Sequence, residues 1–197
     1  MSVLIFVEGG GSKLLDQQCR EGFRKLLEKC GFRGRLPRLF ASGSRNAALD
    51  DFRLAHASKG TDFVALLIDS EEPVARPEAT WNHLKARDGW ARPSGATDDQ
   101  VLFMTTCMET WIVADREALK AHYVRGFRES ALPPLENLET RERHDVQDRL
   151  EKATRECANA YRKGRRSFEV PAKLNPDTME KHLPSFKRAR RFLAEKL

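Results

Sequence analysis

Val3-Leu-Ile-Phe-Val7 runs directly into Glu8-Gly9-Gly10-Gly11. Five consecutive apolar residues, mostly β-branched or aromatic, read as a strand buried on both faces, the pattern of a parallel sheet. An acid at the C-terminal end of such a strand, followed by glycines that free the backbone, stands where open α/β sheets place their ligand sites. The pattern recurs downstream, where Phe63-Val-Ala-Leu-Leu-Ile68 ends in Asp69-Ser70-Glu71-Glu72. Two buried strands that deliver acids to one edge point to a divalent-cation site.

The chain between these runs supports the same architecture. Leu15, Cys19, Phe23, Leu26, Leu27 and Cys30 recur at three- and four-residue steps, an amphipathic helix with Gly31 as its stop. Leu36 to Ala41 reads as a second strand, with Pro37 favouring an edge position. Ser42-Gly43-Ser44-Arg45 is a turn that caps a second helix, whose apolar face is Ala48, Phe52 and Ala55. Strand, helix, strand, helix, strand implies a parallel sheet with right-handed crossovers. Further on, the pattern predicts a short helix around Glu78–Arg87 and a fourth strand over Val101–Met104. A helix over Cys107–Ala114 follows, then Asp115 as the cap of another turn through His122. Residues Gly126 to Arg143 read as a loop, Val146, Leu150, Ala153, Cys157 and Ala160 as a long helix, and Pro184 onward as a tail helix with exposed basic residues. The expectation is an α/β core over residues 1–125, with about four mostly parallel strands flanked by helices, and a helical C-terminal extension over 126–197 packed on it.

A chain of 197 residues is long enough to bury a real core. With 40% hydrophobic and 32% charged residues it has the composition of a soluble globular protein. No apolar stretch approaches the roughly 18–20 residues that span a bilayer. The first apolar run is too short for a signal peptide and has no basic region before it, so a cytoplasmic protein without membrane attachment is expected. The four cysteines form no Cys-x-x-Cys pair, which predicts buried, reduced thiols rather than a zinc ribbon.

A formal charge of +6 favours a polyanionic partner, and its distribution says more. Basic residues gather at Arg33, Arg35 and Arg38, at Arg162, Lys163, Arg165 and Arg166, and at Lys187, Arg188, Arg190 and Arg191. Carboxylates are the preferred protein ligands of Mg²⁺, and metal-assisted phosphoryl chemistry asks little else of a protein. Glu8, Asp69 and Glu71 supply three acids if the two strands are neighbours, and residues 69 and 71, two apart in extended chain, would point the same way. Other nucleotide signatures fail. Gly9-Gly-Gly-Ser-Lys13 lacks the phosphate-loop spacing, and Leu14 occupies the last glycine position of the dinucleotide fingerprint. No histidine stands in a zinc pattern, and there is no Gly-x-Ser-x-Gly elbow.

The VEGGG turn, the IDSEE turn and the βαβαβ order resemble a Toprim domain, the metal-binding core of topoisomerases, primases and the overcoming-lysogenization-defect nucleases. In that family a Glu follows the first strand and an Asp-x-Asp the third. The resemblance therefore maps metal ligands onto Glu8, Asp69 and Glu71, with Glu in place of the second Asp. SGSRNAALDDF (Ser42–Phe52), CMETWIVAD (Cys107–Asp115) and a C-terminal tyrosine–lysine segment followed by Pro-x-Phe are similar to a bacterial Toprim-like family whose members tend to be encoded beside ATPases in anti-phage defence loci. The RloB-like proteins carry a comparable Glu-x-Trp segment. This likeness implies a fourth ligand candidate in Glu109, a phosphate contact at Arg45 and charge neutralisation by Lys163, with Arg165 and Arg166 tracking a nucleic-acid backbone. It further implies a Mg²⁺- or Mn²⁺-dependent nuclease acting on DNA or RNA, controlled by an ATPase partner. The rival expectation is a non-catalytic adaptor of the same shape that binds nucleic acid or the ATPase. Topoisomerase or primase activity is disfavoured, because the chain leaves no room for a strand-passage domain and neither Tyr123 nor Tyr161 has a nucleophile's setting.

Overall fold

Four parallel strands, β1 (Val3–Val7), β2 (Arg38–Ala41), β3 (Phe63–Asp69) and β4 (Val101–Met104), lie in the order β2-β1-β3-β4. The computed structural model describes residues 2–58, 60, 62–164 and 166–197. Side chains alternate across the sheet as strand geometry requires. Val3, Ile5, Val7, Ala65, Leu67, Leu102 and Met104 enter one apolar cluster, and Phe6, Val64, Leu66, Ile68, Val101 and Phe103 enter the other. A sheet covered on both faces is why these strands read as unbroken apolar runs.

The first face is covered by α1 (Lys13–Leu27) and α4 (Met108–Val113), and the second by α2 (Arg45–Ala57) and α3 (Thr80–Asp88). The chain steps from β1 outward to β2 over one face, then returns over the other to β3 and continues to β4. That reversal makes the gap between the C-terminal ends of β1 and β3 the topological switch point, where open α/β sheets bind ligands. β2 is an edge strand, in keeping with Pro37 at its start.

The remaining helices are α5 (Arg116–His122), α6 (Arg143–Thr154), α7 (Pro176–His182) and α8 (Pro184–Lys196). Val146 and Leu150 of α6 and Phe186, Ala189 and Leu193 of α8 join the same apolar cluster as β1 and α1. Residues 126–197 thus share a core with the sheet. The stretch before α6 holds only single 3-10 turns at Glu129–Ala131 and Leu138–Thr140. All four cysteines are buried and unpaired. Among the described residues no helix is long and apolar enough to cross a membrane.

Two expectations are corrected. The helix predicted through Ala160 stops at Thr154, because the Thr154 carbonyl accepts the Cys157 N–H and its hydroxyl oxygen accepts the Tyr161 N–H. The chain turns there instead of extending. The tail helix does not leave all its basic residues to solvent. The Arg188 guanidinium donates to the Val101 and Asp98 carbonyls, covering the open edge of β4, and Arg190 pairs with Asp177 and Glu180. Blocking an unpaired edge carbonyl in this way guards a strand against pairing with another chain.

Phe168 fixes the C-terminal segment to the start of the sheet. A Cβ at Gly22, in the middle of α1, would stand 2.3 Å from the Phe168 carbonyl oxygen, and one at Gly9 would stand 2.7 Å from its ring. Intrinsic propensity favours Ala over Gly inside a helix by about 1 kcal/mol, so only this approach explains Gly22. Gly22→Ala is expected to destabilise the protein by roughly 1–3 kcal/mol through overpacking, read by urea denaturation. A more stable variant would show that the contact does not constrain the fold.

Candidate metal centre

The parallel pairing of β1 with β3 brings two acids to one rim. The Glu8 N–H donates to the Leu67 carbonyl at 2.9 Å, and the Asp69 N–H donates to Glu8 Oε2 at 3.1 Å. One carboxylate oxygen each from Glu8, Asp69 and Glu71 lies within 4.8 Å of the others. Glu71 does not arrive by strand alternation, as the spacing suggested. Its φ of 70° is left-handed, so the chain has already left the extended conformation. The Ser70 and Glu71 N–H groups donate to the Met104 and Thr106 carbonyls, at 3.2 and 2.8 Å. That turn swings the third acid back to the rim.

The glycine turn serves this convergence without being a phosphate loop. Gly9 and Gly43 exchange backbone hydrogen bonds at 2.9 and 2.8 Å, and the Gly11 N–H donates to Asp16. A side chain at Gly10 would disturb the Asp16 contact, because its Cβ would stand 2.1 Å from Asp16 Oδ1. The clasp holds the start of α2, and with it Arg45, beside Glu8.

Glu8 and Glu71 pair with arginines, whereas among the described residues Asp69 has no ion-pair partner. Burial pushes the Asp69 carboxyl well above its ordinary range, and the negative charges of Glu8 and Glu109 push it further, while Lys163 and a Met108 N–H oppose them. Glu8 is also raised, chiefly by burial, against the pull of Arg45, the Asp69 N–H, Lys163 and Arg143. Asp69 Oδ1 is buried and has no hydrogen-bond partner. A buried carboxylate oxygen without a donor, inside a triad of acids, is a group that a bound cation would satisfy.

The donor set suits Mg²⁺ or Mn²⁺, which take oxygen ligands. In an octahedron with metal–oxygen bonds of about 2.1 Å, adjacent ligands stand about 3 Å apart and opposite ones about 4.2 Å, so the triad would draw together to close on such an ion. Glu109 lies outside that set. It is buried at the start of α4, where Tyr161 donates a short hydrogen bond to Oε1 and Gln147 Nε2 donates to Oε2 at 3.2 Å. Burial and the Glu109 charge raise the Tyr161 phenol well above its usual range, keeping it a proton donor. Glu109 adds negative charge next to Asp69 from a fixed position.

Arg45 does not present a free guanidinium. Nη1 donates to the Asp69 carbonyl and lies 3.7 Å from Glu8 Oε2, Nη2 pairs with Asp88 at 2.8 Å, and the group stacks 4.8 Å from the Trp90 ring centre. It braces the two strand ends against the end of α3. Lys163 is exposed, and its charge acts on both Glu8 and Asp69. Arg166 donates to the Ala158 carbonyl at 3.2 Å. Arg165 lies outside the described residues. Arg87 and Arg143, which sequence reading does not single out, both pair with Glu71. The one available signal is Arg143 at the head of α6, where a cation opposes the helix dipole.

The chain belongs to the family described as a domain of unknown function, DUF4276, whose sequence profile matches residues 7–194. No curated protein and no solved structure matches the chain.

Proposed function

We propose that the protein is a Mg²⁺- or Mn²⁺-dependent nuclease of Toprim type that hydrolyses phosphodiester bonds, the effector of an anti-phage defence system working with an ATPase. The observation that carries this reading is the convergence of Glu8, Asp69 and Glu71 on the switch-point rim, with Asp69 Oδ1 buried and partnerless. The defence role and the ATPase rest only on the resemblance carried by the SGSRNAALDDF, CMETWIVAD and C-terminal tyrosine–lysine segments.

In this reading Glu8, Asp69 and Glu71 hold the cation. The ion would polarise a phosphate oxygen and lower the pKa of a bound water. Lys163, placed by the turn after Tyr161, faces the acids from the solvent side and offsets charge growing on the phosphate. Arg45 keeps Glu8 and the end of β3 in register. Glu109, held by Tyr161 and Gln147, fixes the field at Asp69 without leaving its pocket. A specific observation favours the adaptor reading: Arg45, Arg87 and Arg143 already pair with these acids, and a self-contained ion-pair network needs no metal.

Cleavage of labelled DNA and tRNA in Mn²⁺ separates the two, with the chain assayed alone and with the product of a neighbouring ATPase gene. Glu8→Ala is expected to lower the rate on the order of 10³-fold, since a metal ion contributes several kcal/mol to the transition state, while its circular dichroism stays that of the wild type. Absence of cutting by the wild type in every combination would favour the adaptor.

A further inference from the structure

Arg87 comes from the last turn of α3 and Arg143 from the first turn of α6, so elements far apart in the chain deliver both to one atom. Each reaches Glu71 Oε2, Arg87 at 3.4 Å. Both arginines line a cleft of about 500 Å³ that opens beside the acidic triad and also takes in Glu72, Glu142 and His144.

These guanidiniums differ from that of Arg45. Their side chains are 26% and 28% exposed, against 12% for Arg45, so they are reachable from the cleft. Helix stability does not account for Arg143, because a cation in the first turn is opposed by the dipole and the Glu142 side chain makes no cap. Arg87 also pairs with Asp88 and lies 3.9 Å from Glu72, and Glu142 lines the same cleft, so both guanidiniums are held by acids yet keep part of their N–H edge toward open space. A planar fork that binds a carboxylate also binds a phosphate, through the same paired N–H groups.

We infer that Arg87 and Arg143 form a backbone-phosphate subsite beside the metal centre, exchanging Glu71 for a phosphate of the nucleic acid flanking the bond to be cut. The inference rests on the nuclease reading and puts the phosphate contact on cations more exposed than Arg45. The arginines compete with a cation for Glu71, so a divalent ion on the triad favours their release toward substrate.

Two measurements on the full-length chain test this without any turnover. The first is fluorescence anisotropy of short fluorescein-labelled DNA and RNA oligonucleotides in Ca²⁺, over a salt series. The second is calorimetric titration with Mn²⁺ alone. For R87Q/R143Q, oligonucleotide affinity at low salt is expected to fall at least about tenfold. The slope of log affinity against log salt should become shallower by about 0.7 for each single-strand phosphate that the variant no longer neutralises. Mn²⁺ affinity should hold or tighten, and R20Q on α1 should leave both readings near wild type. Wild-type oligonucleotide affinity and slope in R87Q/R143Q, with Mn²⁺ binding intact, would overturn the subsite and leave the metal centre standing. A wild-type chain that takes no Mn²⁺ would overturn the metal reading itself. If the double variant does not fold, R87Q and R143Q singly carry the same test, each with about half the change in slope.

Discussion

Asp69→Asn is expected to melt at a higher temperature than the wild type without divalent ions, and to lose the stabilisation that Mn²⁺ gives the wild type. Asp69 is buried against Glu8 and near Glu109, and burial with those two charges destabilises its ionised form. Asparagine removes one of the like charges, keeps an acceptor for the Met108 N–H and offers an amide donor toward Glu8. A gain of about 1–2 kcal/mol corresponds to roughly 2–8 °C in a domain of this size. Cation binding works the other way. An ion at about one hundred times its dissociation constant stabilises the wild type by about 2.7 kcal/mol, or roughly 5–11 °C. The amide of the variant carries no charge, so that rise should nearly vanish. The pattern is that of a site kept at a cost to the empty fold. Thermal denaturation of both proteins with and without Mn²⁺ reads it directly. A destabilised asparagine variant, or one that gains as much from Mn²⁺ as the wild type, would show that these acids are not held for a cation.

The convergence of Glu8 and Asp69 is legible in the sequence because it depends only on two strands being parallel neighbours. Apolar runs identify such strands, and parallel neighbours end on a common rim. Glu71 reaches the rim by a route that its spacing does not reveal. Alternation in an extended chain does not place it; the left-handed turn at residue 71 does, and that turn is held by carbonyls of residues 104 and 106, which no local pattern announces.

The role expected of Glu109 leaves out Tyr161 and Gln147, because those partners come from 52 and 38 residues away, the former across a chain reversal after Thr154. Arg45 does stand beside the acids, and Asp88 and Trp90 engage its guanidinium from in or next to a stretch that reads as loop. Arg143 is hidden as the last residue of another such stretch. Charge patterning finds cations; which of them are already spoken for is decided by tertiary packing. The tail shows this most plainly, where Arg188 covers a strand edge from within a run that looks like a solvated face.

Arg45→Ala is expected to be among the most damaging single substitutions outside the apolar core. The guanidinium joins four groups: Glu8 after β1, the Asp69 carbonyl of β3, Asp88 at the end of α3 and the Trp90 ring. Asp88 and Glu8 are largely buried, with side chains 10% and 21% exposed, so truncation strands acids that cannot simply turn to water. Breaking a buried pair from one side costs about 3–5 kcal/mol. Asp88 retains Arg87 as a partner, which argues for the lower end, about 3 kcal/mol and roughly 6–12 °C in melting temperature. Much of that loss is the penalty of an unpaired charge and not the worth of the contact. R45A/D88N should therefore be more stable than R45A alone, recovering about half of the deficit. Lysine cannot reproduce the planar fork over Trp90, and R45K should fall between alanine and the wild type. Because the network is buried, the deficit should change little between low and high salt, unlike that of a surface pair. Melting of the four proteins at two salt concentrations separates these contributions. R45A melting within about 2 °C of the wild type, or D88N deepening its loss, would mean that Arg45 does not brace the strand ends, and that the rim holds its acids together by some other means.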